Sequence, residues 1–180
     1  MVQHIGSKDL LKFLHVAVWI IFVGLCIEVG ALIVNFVISL YKPEFIENLY
    51  KKLDLTGIYE QSKWVFYQIY SLIIAVGLLK AYLFYVVLKL VRKLDLSNPF
   101  TLFVSDTISE ISYYTFSIGI VSYVARQTSK RLQYSDVETS NFNEYWADSQ
   151  SFILMAAVIY IIAVIFKRGI EIQSENDLTV

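Results

Sequence analysis

Cysteine, proline and charged residues are all scarce in this chain of 180 residues. The single cysteine, Cys26, excludes an internal disulfide, a multi-cysteine metal site and an iron–sulfur cluster. Neither of the two prolines interrupts a long apolar run. Charged residues make up 17% of the chain and apolar residues 57%, and the mean hydropathy is +0.57. A soluble domain has about 25% charged residues, so this composition excludes a disordered chain and predicts a membrane protein.

An excess of positive charge is also missing, because the formal net charge is −1. The chain therefore lacks the basic field that attracts nucleic acid, and we predict no direct binding to DNA or RNA. No nucleophile elbow, metalloprotease motif, phosphate-binding loop or dinucleotide fingerprint occurs in the sequence. We predict no catalytic residue, metal ligand or cofactor. An enzyme that acts on phosphatidyl or prenyl substrates through sparse polar groups stays a third hypothesis.

Four apolar stretches are long enough to cross a membrane: residues 13–40, 64–91, 107–125 and 146–166. The third is the least apolar, because it contains Glu110 and several hydroxyl side chains. Such a helix is expected to pack between its neighbours, where hydroxyls reach backbone carbonyls. The predicted fold is all-α: one domain over residues 1–180, built as an integral membrane four-helix bundle.

The first connection contains the pattern of a short interfacial helix at residues 43–54, with apolar side chains on one face. It would be a lid or a partner-docking element, or only a cover for apolar surface. Four spans put both termini on one side, and seven Lys and Arg residues fall on each side of the membrane. Those on the terminal side lie closer to the span ends, so we predict cytoplasmic termini in the inner membrane. Trp64 and Trp146 would then begin their spans at the outer interface.

Among the charged residues inside the predicted spans, three are singled out as functional candidates: Glu28, Lys80 and Glu110. A charge at the centre of a membrane helix costs about 2.5–3.5 kcal/mol on insertion scales, so each requires a reason. One hypothesis is an ion or proton site around Glu28 and Lys80, with further ligands from Asn35, Tyr67, Tyr70 and the hydroxyls of the third span. Another is a structural ion pair, in which Lys80 neutralises Glu28 or Glu110. The third is that one charge pairs with another membrane protein.

Two stretches resemble a known family: LVRKLDLSNPFTLF in the middle connection and IFKRGIEIQSENDLTV at the carboxyl end. The family consists of small bacterial inner-membrane proteins of unknown function, of the domain-of-unknown-function 2975 type. The likeness follows the order of the spans along the whole chain. Asn98 stands where many relatives have glycine before the proline. The matching residues are Pro99, Phe100, Thr101, Gly169, Glu175, Asn176, Asp177, Leu178, Thr179 and Val180.

The resemblance implies four spans and no assigned reaction. Genes of this family are often neighbours of small helix-turn-helix regulators, which implies a membrane sensor or a partner that holds a regulator. The two matching stretches would share the cytoplasmic face, where the basic connection would meet the acidic tail as a docking surface. A tail that only packs on the helices is the alternative. The candidate docking surface comprises Arg92, Lys93, Pro99, Phe100, Glu175, Asp177 and Leu178.

The function expected from these observations is that of a non-enzymatic accessory or regulatory subunit. It would act through a membrane or cytoplasmic protein partner within the lipid bilayer, and the sequence leaves homo-oligomers open. The alternative is a small ion, proton or solute transporter in which Glu28, Lys80 and Glu110 line a polar path. Sparse polar residues along the spans favour the subunit over the path.

Overall fold

The computed structural model describes residues 7–42, 44, 46, 55–96, 99–133, 146 and 148–177. These residues fold almost entirely as α-helix, with no strand in the ranges given. Of the predicted interfacial helix at 43–54, only residues 44 and 46 fall within them, so that helix lies outside the described residues. The five helices are α1 (Ser7–Tyr41), α2 (Thr56–Gln61), α3 (Lys63–Lys93), α4 (Leu102–Gln133) and α5 (Ser149–Asp177).

Three of the helices are long and apolar enough to cross a membrane: Asp9–Tyr41, Lys63–Lys93 and Ser149–Glu175. At about 1.5 Å per residue, even the shortest exceeds the hydrocarbon thickness of about 30 Å. The all-helical fold and these three segments confirm the coarse prediction. Helix α4 has the length but not the hydropathy, because Glu110 and its hydroxyl residues dilute the apolar side chains.

The long helices pack as a row in the order α1, α3, α4, α5, and α2 packs on α3. Each long helix runs antiparallel to its neighbour, as three pairs of contacts show: Phe22–Tyr85 with Leu32–Tyr70, Tyr82–Tyr114 with Lys93–Phe103, and Ser112–Ala156 with Ser105–Ala163. Across the described residues, α1 and α5 form no extensive interface, so the row is open rather than closed into a bundle. We call the end with the start of α1 and the end of α5 the terminal end, and the opposite end the loop end.

A buried hydrophobic core lies at the loop end of the row. This core contains Leu32 of α1, Ile58 of α2 and Ala125 of α4, together with the buried side chains of α3 between residues 66 and 73. The Tyr70 hydroxyl, fully buried, donates a hydrogen bond of 3.1 Å to the Leu32 carbonyl. Five rings stack or meet edge to face here, and we call them the aromatic cluster: Phe36, Tyr59, Phe66, Tyr67 and Tyr70.

Helix α1 is held mainly by its second half. Its buried residues are Val29, Leu32 and Ser39, and every described side chain before Val29 is at least partly exposed. Phe22 nevertheless contacts the Tyr85 ring, with 6.1 Å between ring centroids. The first half of α1 therefore lies beside α3 without a buried core of its own.

Helix α5 begins three residues after the predicted start of the fourth span. Trp146 is not in the helix and is only 5% exposed, packed into the loop-end core, so its predicted place at the start of a span is wrong. Trp64, by contrast, lies in the first turn of α3 and is 83% exposed. Asp148 precedes α5 and accepts a 2.7 Å hydrogen bond from the Ser151 hydroxyl, which lowers the pKa of the Asp148 carboxyl.

A seam of small residues joins α4 to α5. On each helix its members are seven residues apart. Because seven residues make about two helical turns, all three members lie on the same face of the helix. Small side chains let two helix backbones approach closely in a membrane. We call it the small-residue seam; it comprises Ser105, Ser112 and Gly119 of α4 with Ser149, Ala156 and Ala163 of α5.

Hydroxyl groups bond across this seam. Ser112 Oγ donates to the Ala156 carbonyl at 2.9 Å, and Ser105 Oγ donates to the Ala163 carbonyl at 3.3 Å. The prediction that α4 packs between its neighbours is confirmed by its contacts with both α3 and α5. Most of its other hydroxyls, such as that of Thr115, bond to the carbonyl four residues earlier in α4 itself.

Replacing Gly119 by alanine is expected to lower the free energy of unfolding by about 1–3 kcal/mol. A Cβ at this position would lie 2.8 Å from the Ile153 side chain and 3.2 Å from the Ser149 carbonyl oxygen, so the helices would have to separate. Gly24→Ala is the matched control, because no atom beyond the adjacent residues and the backbone of its own helix lies within 4 Å of its Cβ position. Thermal unfolding in detergent measures both variants, and equal effects would contradict a close α4–α5 approach.

Candidate functional site

Glu28 and Lys80 line the same cavity between α1 and α3. The cavity has a volume of about 60 Å³, which is room for a few water molecules. Both side chains are half-buried, and they supply the only charged groups among the described residues of its wall. The other lining residues are Leu25, Val29, Leu32, Ile73, Val76 and Gly77.

A close helix approach brings the two charges to one cavity. A Cβ on Gly77 would lie 2.9 Å from Cγ2 of Val29 and 3.9 Å from Cδ1 of Leu32. Because Gly77 has no side chain, α1 can approach α3 at this level. Lys80 follows Gly77 by three residues and Glu28 precedes Val29, so both lie next to this close approach.

The charged cavity lies deep within its helices. Both Glu28 and Lys80 are at least about 20 Å from either end of α1 and α3, respectively. At that depth an isolated charge costs about 2.5–3.5 kcal/mol on insertion scales, and an opposite charge in the same cavity reduces that cost. The arrangement can therefore hold a proton, a small cation or ordered water between opposite charges, or act only as a helix-pairing contact.

Three of the further ligands predicted for this site form contacts outside the cavity. The amide nitrogen of Asn35 donates to the carbonyl of Ala31, 2.8 Å away. Tyr67 and Tyr70 belong to the aromatic cluster, which lies between the cavity and the loop end. Among the residues that the structure places around the cavity, none of these three appears.

Glu110 lies at a separate polar contact between α3 and α4. Its Oε2 atom is 3.6 Å from Nζ of Lys89, and its Oε1 atom accepts a 3.5 Å hydrogen bond from the Tyr82 hydroxyl. The ring of Tyr82 also contacts that of Tyr114, with 4.5 Å between centroids. The sequence predicted Lys80 as one possible partner of Glu110, and the pairing with Lys89 was not predicted. Helix α4 begins at Leu102, five residues before the predicted span, which places Glu110 opposite the last turns of α3.

The middle connection and the carboxyl-terminal part of α5 meet at the terminal end. The Phe100 ring packs on Gly169 of α5, where an added Cβ would lie 2.7 Å from ring atom Cδ1. The ring also contacts Phe166, with 5.3 Å between centroids, and remains 41% exposed. Pro99 precedes this contact at half-buried exposure. The connection after α3 is thus attached to α5 across the start of α4.

The charged members of the candidate docking surface are exposed at the same end. Arg92 and Lys93 form the last turn of α3, and Glu175 lies near the end of α5. Glu171 forms a 2.6 Å ion pair with Arg168 of its own helix. The Asp177 side chain and Leu178 lie outside the residues whose side chains the structure describes.

Within the described ranges, no group of three or more His, Cys, Asp and Glu residues is placed to hold a metal ion. No protein-family model, curated protein or solved structure matches the chain.

We predict that Glu28 and Lys80 are energetically coupled. Glu28→Gln and Lys80→Met are each expected to lower the free energy of unfolding by about 1–3 kcal/mol, because each leaves an opposite charge in a deep cavity. The double variant should lose less than the sum of the single losses. Unfolding of all four proteins in the same detergent measures the coupling, and strictly additive losses would show that the two groups do not interact.

Proposed function

We propose that this chain is a four-span protein of the bacterial inner membrane with both termini in the cytoplasm. It acts as a non-enzymatic accessory or regulatory subunit through a protein partner. The observation that carries the proposal is the terminal end, where Phe100 of the connection packs on Gly169 of α5. Two stretches distant in sequence thereby form one surface with exposed apolar and charged groups, as a docking surface requires.

The packing of α4 supports its role as the fourth span. It lies between α3 and α5, each apolar and long enough to cross the membrane, and it runs antiparallel to both. Its 32 residues extend about 48 Å, more than the hydrocarbon thickness. The seam and the bonds within the helix satisfy most of its hydroxyls, so its polar composition is compatible with a lipid environment.

The open row supports a subunit role. Helices α1 and α5 each pack extensively on only one neighbour and present large exposed apolar side chains, among them Ile27, Val34, Leu154 and Ile161. Lipid can cover such surfaces, and so can the helices of a partner. Basic residues lie near the helix ends on both sides, Lys89, Arg92, Lys93, Lys167 and Arg168 at the terminal end and Lys42, Lys63, Arg126, Lys130 and Arg131 at the loop end, so the positive-inside rule does not separate the two orientations.

The loop end argues against a conducting path through α1 and α3. Phe66 and Tyr70 are fully buried there, and the aromatic cluster fills the space between the two helices. A conduction path needs polar groups or water through its whole depth. Toward the loop end, the cavity that holds Glu28 and Lys80 ends at the uncharged rings of the aromatic cluster.

Retention of a partner tests the subunit proposal. Phe100→Ala, or truncation of residues 174–180, is expected to remove a stoichiometric partner that the unchanged protein keeps after gentle extraction. Native mass spectrometry of the extracted complexes gives the stoichiometry. Trp64→Ala is the matched control, because it removes an exposed aromatic side chain at the opposite end of the row. Retention by both aromatic variants, or loss by both, would contradict docking at the terminal end.

The second candidate function is transport, which the shared cavity of Glu28 and Lys80 favours. If it is correct, purified protein in liposomes should carry protons or small ions across the membrane. Lys80→Met should then abolish the flux while the protein still inserts and folds, because the cavity loses its positive charge. Lys63→Met, a change of the same kind at the first residue of α3, is the control. A flux unaffected by Lys80→Met would exclude this site as the path.

A further inference from the structure

A second pocket lies on α3 at the terminal end, separate from the cavity between α1 and α3. It has a volume of about 330 Å³ and is lined by Tyr85, Leu88, Lys89, Arg92 and Lys93. These positions recur at intervals of three and four residues, so they occupy one face of the helix. We call it the basic pocket. Its wall combines three cationic groups, a half-exposed phenol ring and a buried aliphatic side chain.

One aromatic ring holds two of these cations near each other. The Nζ atoms of Lys89 and Lys93 lie 5.9 Å and 5.1 Å from the centre of the Phe103 ring. Such contacts stabilise each ammonium group by about 0.5–1 kcal/mol at exposed sites, but they also bring like charges together. Glu110 pairs with Lys89 and offsets one of the three positive charges. The pocket with Glu110 therefore retains an excess of two positive charges, which favours an anion.

The depth of the basic pocket matches the headgroup region of a bilayer. Helix α3 has 31 residues and extends about 46 Å, so a centred helix projects roughly 8 Å beyond each side of the hydrocarbon. Lys89 to Lys93 span the last 6 Å or so of α3. The cations would lie among phosphate groups, Leu88 lies next to Lys89 at the edge of the hydrocarbon, and Tyr85 lies about one turn deeper than Lys89, beside the upper acyl chains. Tyrosine is a residue typical of this boundary.

An acidic group of the chain's own tail is less well placed to neutralise the pocket. Helix α4 lies between α3 and α5 in the row, and Glu171 of α5 is engaged by Arg168. We propose that the basic pocket binds the phosphate of an anionic phospholipid, with Arg92 and Lys93 as the principal contacts and Tyr85 and Leu88 against its acyl chains. This site goes beyond the proposed function, because it requires no protein partner.

Lipid binding by the full chain in a nonionic detergent tests this proposal. Phosphatidylglycerol is expected to raise the unfolding temperature more than phosphatidylcholine with the same acyl chains. The double variant Arg92→Gln/Lys93→Gln should weaken the apparent affinity for phosphatidylglycerol about tenfold or more, since each basic group near a membrane surface contributes about 1 kcal/mol. Arg92→Lys keeps the charge and should retain most of the binding.

The control removes the same charge at the same end of the row but outside the pocket. Lys167→Gln/Arg168→Gln changes two exposed residues of α5 and is expected to leave the affinity within about twofold. An equal loss in both double variants would overturn the proposal, because it would indicate a general surface charge effect. Stabilisation by inorganic phosphate as large as that by phosphatidylglycerol would also overturn it, because the ligand would not be a lipid.

If Arg92→Gln/Lys93→Gln already unfolds at a lower temperature in phosphatidylcholine, native mass spectrometry of the folded fraction replaces the thermal measurement. It counts the phosphatidylglycerol molecules that remain bound to each variant. Fewer bound molecules than in the α5 control would support the basic pocket, and equal numbers would overturn it.

Discussion

The architecture depends on one constraint: α4 must keep most of its many hydroxyl groups bonded while it packs between two apolar helices. The seam meets this constraint by pairing Ser105 and Ser112 with carbonyls of α5. In the described part of the chain, α4 is also the element that connects α3 to α5, so the row would separate into two parts without it. Polar side chains thus hold together a protein whose other long helices are mostly apolar.

At two depths along the row, an acidic and a basic side chain come together at a helix interface. Glu110 is matched by Lys89 and Tyr82 near the terminal end, and Glu28 shares a cavity with Lys80 farther along the row. In each place a helix interface, rather than the lipid-facing surface, contains the charge, as the cost of transfer into hydrocarbon requires. The subunit and transport hypotheses differ in whether the deeper cavity changes its occupancy during function.

Hydropathy was sufficient to predict α1, α3 and α5, because long apolar runs without proline leave few other structures in a membrane. Hydropathy also identified Glu28 and Lys80 as charged residues inside apolar spans, and the structure brings both to one cavity. The partner of Glu110 was missed, because the predicted third span began five residues too late and hydropathy carries no information on which residues of α3 lie opposite Glu110. The burial of Trp146 was missed because an interfacial tryptophan and a core tryptophan have the same local sequence signal. The seven-residue spacing of the seam was visible in the sequence, but its meaning required knowledge that α4 and α5 are neighbours.

The uneven burial of α1 has a mechanical consequence. A rigid helix whose buried residues, Val29, Leu32 and Ser39, all lie in its second half can act as a lever, with its less buried arm beginning near the charged cavity. Rotation of such an arm by about 3° moves its tip by roughly 1.5 Å over about 30 Å, an amplitude typical of the helix shifts that switch proteins between states. The cytoplasmic face proposed for this protein would then register changes that begin at the middle of the bilayer.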